Sequence, residues 1–408
     1  MNKTKLRKYA ALIAKCGINV QKKQDVLITA ELDQPEFVEM LVKECYKLGA
    51  KRVMVDWTHQ PLTALNVKYC SEKVLGTLED WQIQKWEWQA DTLPAKIYLT
   101  SEDPDGLAGI NQKKFAAATA KRSKTIKPIR RRMENKYQWC IAAVPGKDWA
   151  KKVFPGLRSS VAIEKLWEAI FTASRITDDP IAEWDTHNKD LAKRCDYLNS
   201  LGIKELQYKS ASGTDFKVGL IKEAIFMAGG EKTQGSGIYF NPNIPTEEVF
   251  TSPDRNKAEG VVYSSLPLSY GGQLIDKFWF KFENGKIVDC GAETNADMLR
   301  EMISIDEGAA YLGEVALVPY SSPIRKSEIL FYNTLFDENA ACHLAIGMGF
   351  TNVLRDAEKY TDDEAHKLGI NDSVTHVDFM IGTKDMSINA TCADGSSVAI
   401  FKDGEWAF

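Results

Sequence analysis

The sequence predicts a two-domain protein, an N-terminal α/β domain followed by a C-terminal α+β domain. Three observations predict it. The chain has 408 residues, more than a single hydrophobic core usually organises. Its first half alternates helical and strand patterns. Its second half strings short strands on tight turns.

A helix is expected around Lys5–Cys16, where apolar and basic residues alternate as on an amphipathic face. "QDVLITA" follows as an apolar strand, then "PEFVEMLVKECYKLG" as a helix with apolar spacing of three and four, stopped by Gly49. "RVMVDW" is the next strand. That β-α-β order implies a largely parallel sheet with flanking helices. "AKIYLTS" and "YQWCIAAVPG" read as further strands of the same sheet. After Trp184 the character changes. "ELQYKSASGTDFKVGL" and "KFWFKFENGKIVDC" read as hairpins, the second turning at Asn284-Gly285, and Asp394-Gly395 and Asp403-Gly404 mark two more turns. The expected domains are 1–190 and 191–408, the second rich in antiparallel hairpins.

Composition narrows the function. Hydrophobic content of 44% and charged content of 26% are those of an ordinary globular protein, and the net charge of −4 gives no pull towards nucleic acid or anionic lipid. No apolar run spans a bilayer, and the opening stretch breaks too early for a signal peptide, so no membrane partner is expected. The eight cysteines are scattered singly without a CxxC pair, which argues against thiolate zinc sites and points to the reducing cytoplasm. The basic run Lys121–Met133 reads as a solvated helix face or an interdomain contact. No nucleic-acid motif accompanies it.

Only five histidines are present. His366, in "TDDEAHKLG", reads as solvated, and His59 and His187 lack acids at ligand-like positions. The other two differ. In "VTHVDFMIG", His376 and Asp378 interrupt an apolar strand two residues apart, so both side chains leave the same face. His343 follows Asp337 and Glu338 in "LFDENAACHLAIG", read as a loop entering a helix. Glu314 stands in the apolar strand "YLGEVALVP". Glu247 and Glu248 lie in "NPNIPTEEVFTSP", which Pro242, Pro245 and Pro253 are expected to hold out of regular structure.

A carboxylate in an apolar strand is costly unless it is paired or bound to a metal. Two imidazoles and several carboxylates without cysteine form a nitrogen and hard-oxygen donor set, suited to zinc, cobalt, manganese or magnesium. Five or six ligands exceed what a single zinc with bound water needs. They suit two metals about 3.5–4 Å apart, which activate water and polarise a carbonyl. The chemistry is hydrolytic. HExxH, GxSxG and P-loop motifs are absent.

"NPNIPTEEVFTSPD", "YLGEVALVP", "LFDENAACHLAIG" and "HVDFMIG" together resemble the signature blocks of the metalloaminopeptidases called aminopeptidase T, S and II. "YAALIAKCGINVQKKQDVLI" extends the likeness to the N-terminus, so it covers essentially the whole chain. The resemblance implies that Glu248, Glu314, His343, His376 and Asp378 are metal ligands, with Glu338 a sixth, all in the second domain. It also implies two divalent ions, zinc or cobalt, with magnesium or manganese left possible by the donor set. Amino-terminal residues would be released from short peptides by a homodimer enclosing a cavity. Within that scheme Glu314 or Asp378 bridges the metals, and Glu338 or Glu247 is the general base.

One position departs from the family. A tyrosine usually lies seven residues after the histidine of the third block, and "HLAIGMGF" places Phe350 there. Losing a phenolic donor to a developing oxyanion can cost about 10²–10³ in rate. Either the phenol is dispensable, or Tyr360 substitutes, or the chain is a poor catalyst; an active enzyme is expected. The rival readings are a dipeptidase or amidase using the same ligands, a catalytically impaired metal-binding dimer, and, weakest, a nucleic-acid binder.

Overall fold

Residues 2–408 are described by a computed structural model. They form two compact units: the chain up to Asp185 together with Gly230–Pro245, and Thr186–Gly229 together with Thr246–Phe408.

The first unit is built on a five-stranded parallel sheet in the order Asn243–Ile244, Trp139–Ala143, Ala95–Thr100, Asp25–Glu31, Arg52–Thr58. Strand Asp25–Glu31 is the near-continuous apolar run that a strand covered on both faces requires, and all but one of its residues are buried. Helix Pro35–Lys47 starts on a proline, whose missing N–H would lack a partner there anyway, and ends just before Gly49 at φ +99°. Tyr9, Phe37, Trp167 and Phe171 pack as one buried aromatic cluster. The Tyr9 hydroxyl donates to the Ala143 carbonyl at 3.1 Å and accepts the Ala143 N–H at 3.2 Å, so its burial leaves no polar group unmet.

Two details differ from the sequence expectation. The segment Gly230–Pro245 returns to the first unit, where Asn243–Ile244 covers the free edge of Trp139–Ala143 and the Ile141 N–H donates to the Pro242 carbonyl at 2.7 Å. Residue 190 falls inside the helix Pro180–Ser200 rather than between elements. The basic run lies on the helix Gln112–Met133, where Arg132 pairs with Glu87 and, at 2.7 Å, with Asp91. Among the described residues no helix is long and apolar enough to cross a membrane.

The second unit combines a nine-stranded sheet with a five-stranded antiparallel one. The expected hairpins form. Asn284 at φ +51° and Gly285 at φ +83° turn Gln273–Glu283 into Lys286–Thr294. The smaller sheet runs Met227–Ala228, Val249–Thr251, Leu312–Leu317, His343–Gly347, His376–Met380. Alternation divides its side chains. Val315, Leu317, Leu344, Ile346, Val377 and Phe379 join the main hydrophobic core, where Phe379 meets Phe280 at 5.1 Å and Phe278 at 5.9 Å. The intervening residues leave the opposite face, and they are the ones that carry the chemistry.

Candidate metal centre

The register across three neighbouring strands builds the site. Glu314 pairs with Ala345, and Ala345 with Asp378, so one row crosses the sheet as carboxylate, methyl, carboxylate. His343 lies two residues before Ala345, and His376 two before Asp378, on the same face. Between directly paired residues Cβ atoms sit about 5 Å apart, and the small Ala345 side chain leaves open the space between Glu314 and Asp378. Glu248 arrives from the residue preceding strand Val249–Thr251, which pairs with the Glu314 strand.

The contacts are close. His343 Nε2 lies 3.2 Å from Glu248 Oε2. His376 Nε2 lies 3.1 Å from Glu314 Oε2 and 3.2 Å from Asp378 Oδ1. Each imidazole is oriented from its other nitrogen. His376 Nδ1 meets the Met348 carbonyl at 2.7 Å and His343 Nδ1 meets the Ala341 carbonyl at 3.3 Å. A proton on Nδ1 directed at a carbonyl leaves Nε2 to serve the site. Two groups of side chains converge so that their ligand atoms lie within 4.8 Å of one another: Glu248, Glu314 and His343, and Glu314, His376 and Asp378. Glu314 belongs to both. Nitrogen and carboxylate oxygen at this spacing fit a hard or borderline divalent cation.

The whole chain matches known proteins. Residues 2–406 match the thermophilic metalloprotease family M29. The chain is 43% identical to aminopeptidase AmpS of Bacillus subtilis over 406 residues, covering 99% of this chain and 98% of that one. It is 40% identical to aminopeptidase 2 of Geobacillus stearothermophilus over 405 residues, with the same coverage. Its fold superimposes on wild-type AmpT from Thermus thermophilus with a TM-score of 0.91 at 36% identity, over 100% of both chains. The chain belongs to the M29 family. As a member it is a metalloaminopeptidase, which bears out the family and the enzyme class expected from its sequence blocks.

In this M29 enzyme the cluster is short of positive charge, and its proton affinities record that. Burial raises Glu314 to about 7, with Glu248 and Asp378 adding to the rise and His376 opposing it. Burial, then the neighbouring Asp378 and Glu248, holds Glu338 well above the usual carboxyl range. Burial alone would depress His343, but Glu248, followed by Glu314 and Asp378, holds it up at about 10. His376 is raised in the same way, mainly by Asp378, and in return draws Asp378 below its ordinary value against the effect of burial. Divalent cations would meet the same clustered negative charge and would displace protons as they bind.

Most of the expected residues meet in one place, with three corrections of setting. His343 opens a fully buried strand rather than a helix. The proline-rich segment is less irregular than expected, because Val249–Thr251 and Pro253–Tyr263 are strands, Pro253 occupying the first position, where its missing donor is tolerated. Glu338 lies outside both convergent groups, half-buried in a short 3₁₀ turn after Thr334–Asp337. Glu247 is buried beside Glu248 and is likewise outside both groups. Phe350 lies against the site, its ring 4.9 Å from that of His376 and 5.6 Å from that of Phe250.

The sequence reading missed Asn339. It is fully buried, its Oδ1 accepts the Glu247 N–H at 2.6 Å, and its Nδ2 donates to the Leu335 carbonyl at 3.0 Å and to Glu338 Oε1 at 3.3 Å. One amide thus ties the Glu247–Glu248 segment to the Glu338 turn. His187 supports the same segment, its Nε2 lying 2.7 Å from the Thr246 carbonyl.

Proposed function

We propose that the enzyme hydrolyses the amino-terminal peptide bond of short peptides at a centre of two divalent ions, zinc or cobalt, held by Glu248, Glu314, His343, His376 and Asp378. The observation that carries this reading is the shared Glu314. Two convergent ligand groups with one carboxylate in common are the arrangement expected of a bridged pair. Charge supports it as well. Glu248, Glu314, Glu338 and Asp378 supply four negative charges when ionised, and two divalent cations balance four. When bound, the ions supply Lewis acidity towards the scissile carbonyl and lower the pKa of water.

The chain's own residues do the rest. Glu314 spaces the two groups. His343 and His376 present Nε2 because backbone carbonyls engage Nδ1. Glu338, outside both groups and tethered by Asn339, is the general base that takes the proton of water and returns it to the leaving amine. A homodimer and a cytoplasmic location belong to the same proposal. All eight cysteines being free suits a reducing compartment.

The test is metal content per chain measured alongside hydrolysis of leucyl-p-nitroanilide, a leucyl dipeptide and its N-acetylated form. Two metals per chain and cleavage of free-amino substrates alone are expected. Cleavage of the blocked peptide would assign the site to an amidase or other hydrolase. Glu338→Gln should keep its metal and lose about 10²–10⁴ in kcat. Loss of metal instead would make Glu338 a ligand.

A second reading rests on Phe350, whose apolar ring faces His376 where the family carries a phenol. Phe350→Tyr is expected to change kcat by less than about threefold. A gain near the 10²–10³ attributed to an oxyanion donor would show an impaired catalyst.

A further inference from the structure

The first unit holds a cavity of about 960 Å³, the size of a small-molecule pocket. It opens at the carboxyl ends of three parallel strands. Glu31 ends Asp25–Glu31 and Asp33 follows it, His59 and Gln60 follow Arg52–Thr58, and Ser101 and Glu102 follow Ala95–Thr100. From Asp25–Glu31 the chain crosses to Arg52–Thr58 on one side and then returns to Ala95–Thr100 on the other. The connections therefore diverge between the first and third of these strands. Open α/β sheets hold their ligands in the crevice at such a switch point.

One carboxylate there has no lysine or arginine partner. Glu31 is buried, its side chain 7% exposed, and it lines the cavity. Its Oε2 accepts the Gln60 N–H at 3.1 Å, with His59 Nδ1 at 3.8 Å. Among the described residues no donor reaches Oε1, and no lysine or arginine pairs with the carboxylate. Lys68, Lys114 and Lys147 also line the cavity, but none of them pairs with Glu31, and Lys114 Nζ donates to the Val67 carbonyl at 2.6 Å. A buried carboxylate without a cation is costly. Asp33 and Glu102 add negative charge on the same wall, and Leu65 and Ile110 supply apolar surface. A metal ion does not fit, because the convergent ligand groups among the described residues all lie in the second unit.

We propose that this cavity binds a small organic amine, its ammonium group on Glu31 and its hydrocarbon body along Leu65 and Ile110. The site is separate from the metal centre and takes a protonated amine of a few carbons.

Calorimetry on the full-length protein with isoamylamine, against isoamyl alcohol as the uncharged analogue, tests it. The amine should bind at least tenfold more tightly than the alcohol. Glu31→Gln should weaken the amine at least tenfold. Ala64→Trp, which fills the cavity from the helix Gln60–Tyr69 without touching a carboxylate, should abolish binding while leaving the thermal unfolding transition in place. Glu314→Gln should leave the amine's affinity unchanged. Equal affinity for amine and alcohol, or amine binding that survives Ala64→Trp, overturns the proposal. So does binding lost in Glu314→Gln and kept in Glu31→Gln, which would move the amine to the metal centre. Stoichiometric zinc or magnesium binding that disappears in Glu31→Gln would make the cavity a cation site and overturn the organic ligand.

Discussion

The two units both place carboxylates on strands, in different ways. In the first, Glu31 and its acidic neighbours lie at or just after the ends of parallel strands and line an open cavity. In the second, Glu314, His343, His376 and Asp378 leave the middle of antiparallel strands on one face, with nitrogen–oxygen separations near 3 Å. Strand ends scatter side chains over loops, whereas paired strands fix them at a repeat of about 5 Å. The first arrangement suits a molecule. The second suits ions.

The comparison breaks most readily at Ala345. If the open space between Glu314 and Asp378 is what admits the ions, Ala345→Leu should lose metal and at least about 10²-fold in activity, on the scale of disturbed ligand support. Ala345→Ser should keep most of both. Metal content by mass spectrometry decides it, and a fully loaded, active leucine variant would show that the row has slack. Asn339→Ala probes how firmly the loop-borne Glu338 is held. Activity is expected to fall about 10-fold with the metal retained, and stability by about 1–3 kcal/mol, because the Glu247 N–H loses its buried partner. Unchanged kcat would remove Asn339 from any positioning role.

The smallest expected effect sharpens the comparison from the other side, since the first unit buries a cation as well as carboxylates. Lys96, 2% exposed, lies over the rings of Trp86 and Tyr137 at 5.1 and 4.5 Å. Burial, with Arg130 nearby, lowers it from 10.5 to about 8. The unfolded chain therefore holds this proton more tightly, and stability rises between about pH 8 and 10.5. Lys96→Met should raise Tm by about 2–4 °C at pH 7, the cation–π contacts offsetting part of the gain, and the advantage should shrink by pH 10.5. A constant advantage across that range would show that the charge is not the cause.

Much of this was legible in the chain itself. His376 and Asp378 announced themselves because a period of two survives in any strand with one polar face. Glu314 stood out as a charge in an apolar run. His343 was assigned to a helix because "AACHLAIG" is rich in good helix formers and its strand, buried on both faces, has no alternation to betray it. Asn339 has no signature, since its role depends on a segment 92 residues away. The cavity of the first unit was invisible for the same reason. Its walls come from Glu31 to Asp148, and only the strand order brings them together. His59, read as lacking acids, stands near one for that reason.

The ladder that carries Glu314, Ala345 and Asp378 has a consequence for how the enzyme fails. Glu314 and Ala345 lie in interior strands of a hydrogen-bonded sheet whose other face is the main core, and Asp378 lies in the strand at its edge. The Glu314 and Ala345 amides can meet solvent only when that core opens, so hydrogen exchange there should follow global unfolding rather than local fraying. Heating should leave turnover intact until the second unit melts as a whole, and the inactivation curve should overlay the unfolding curve.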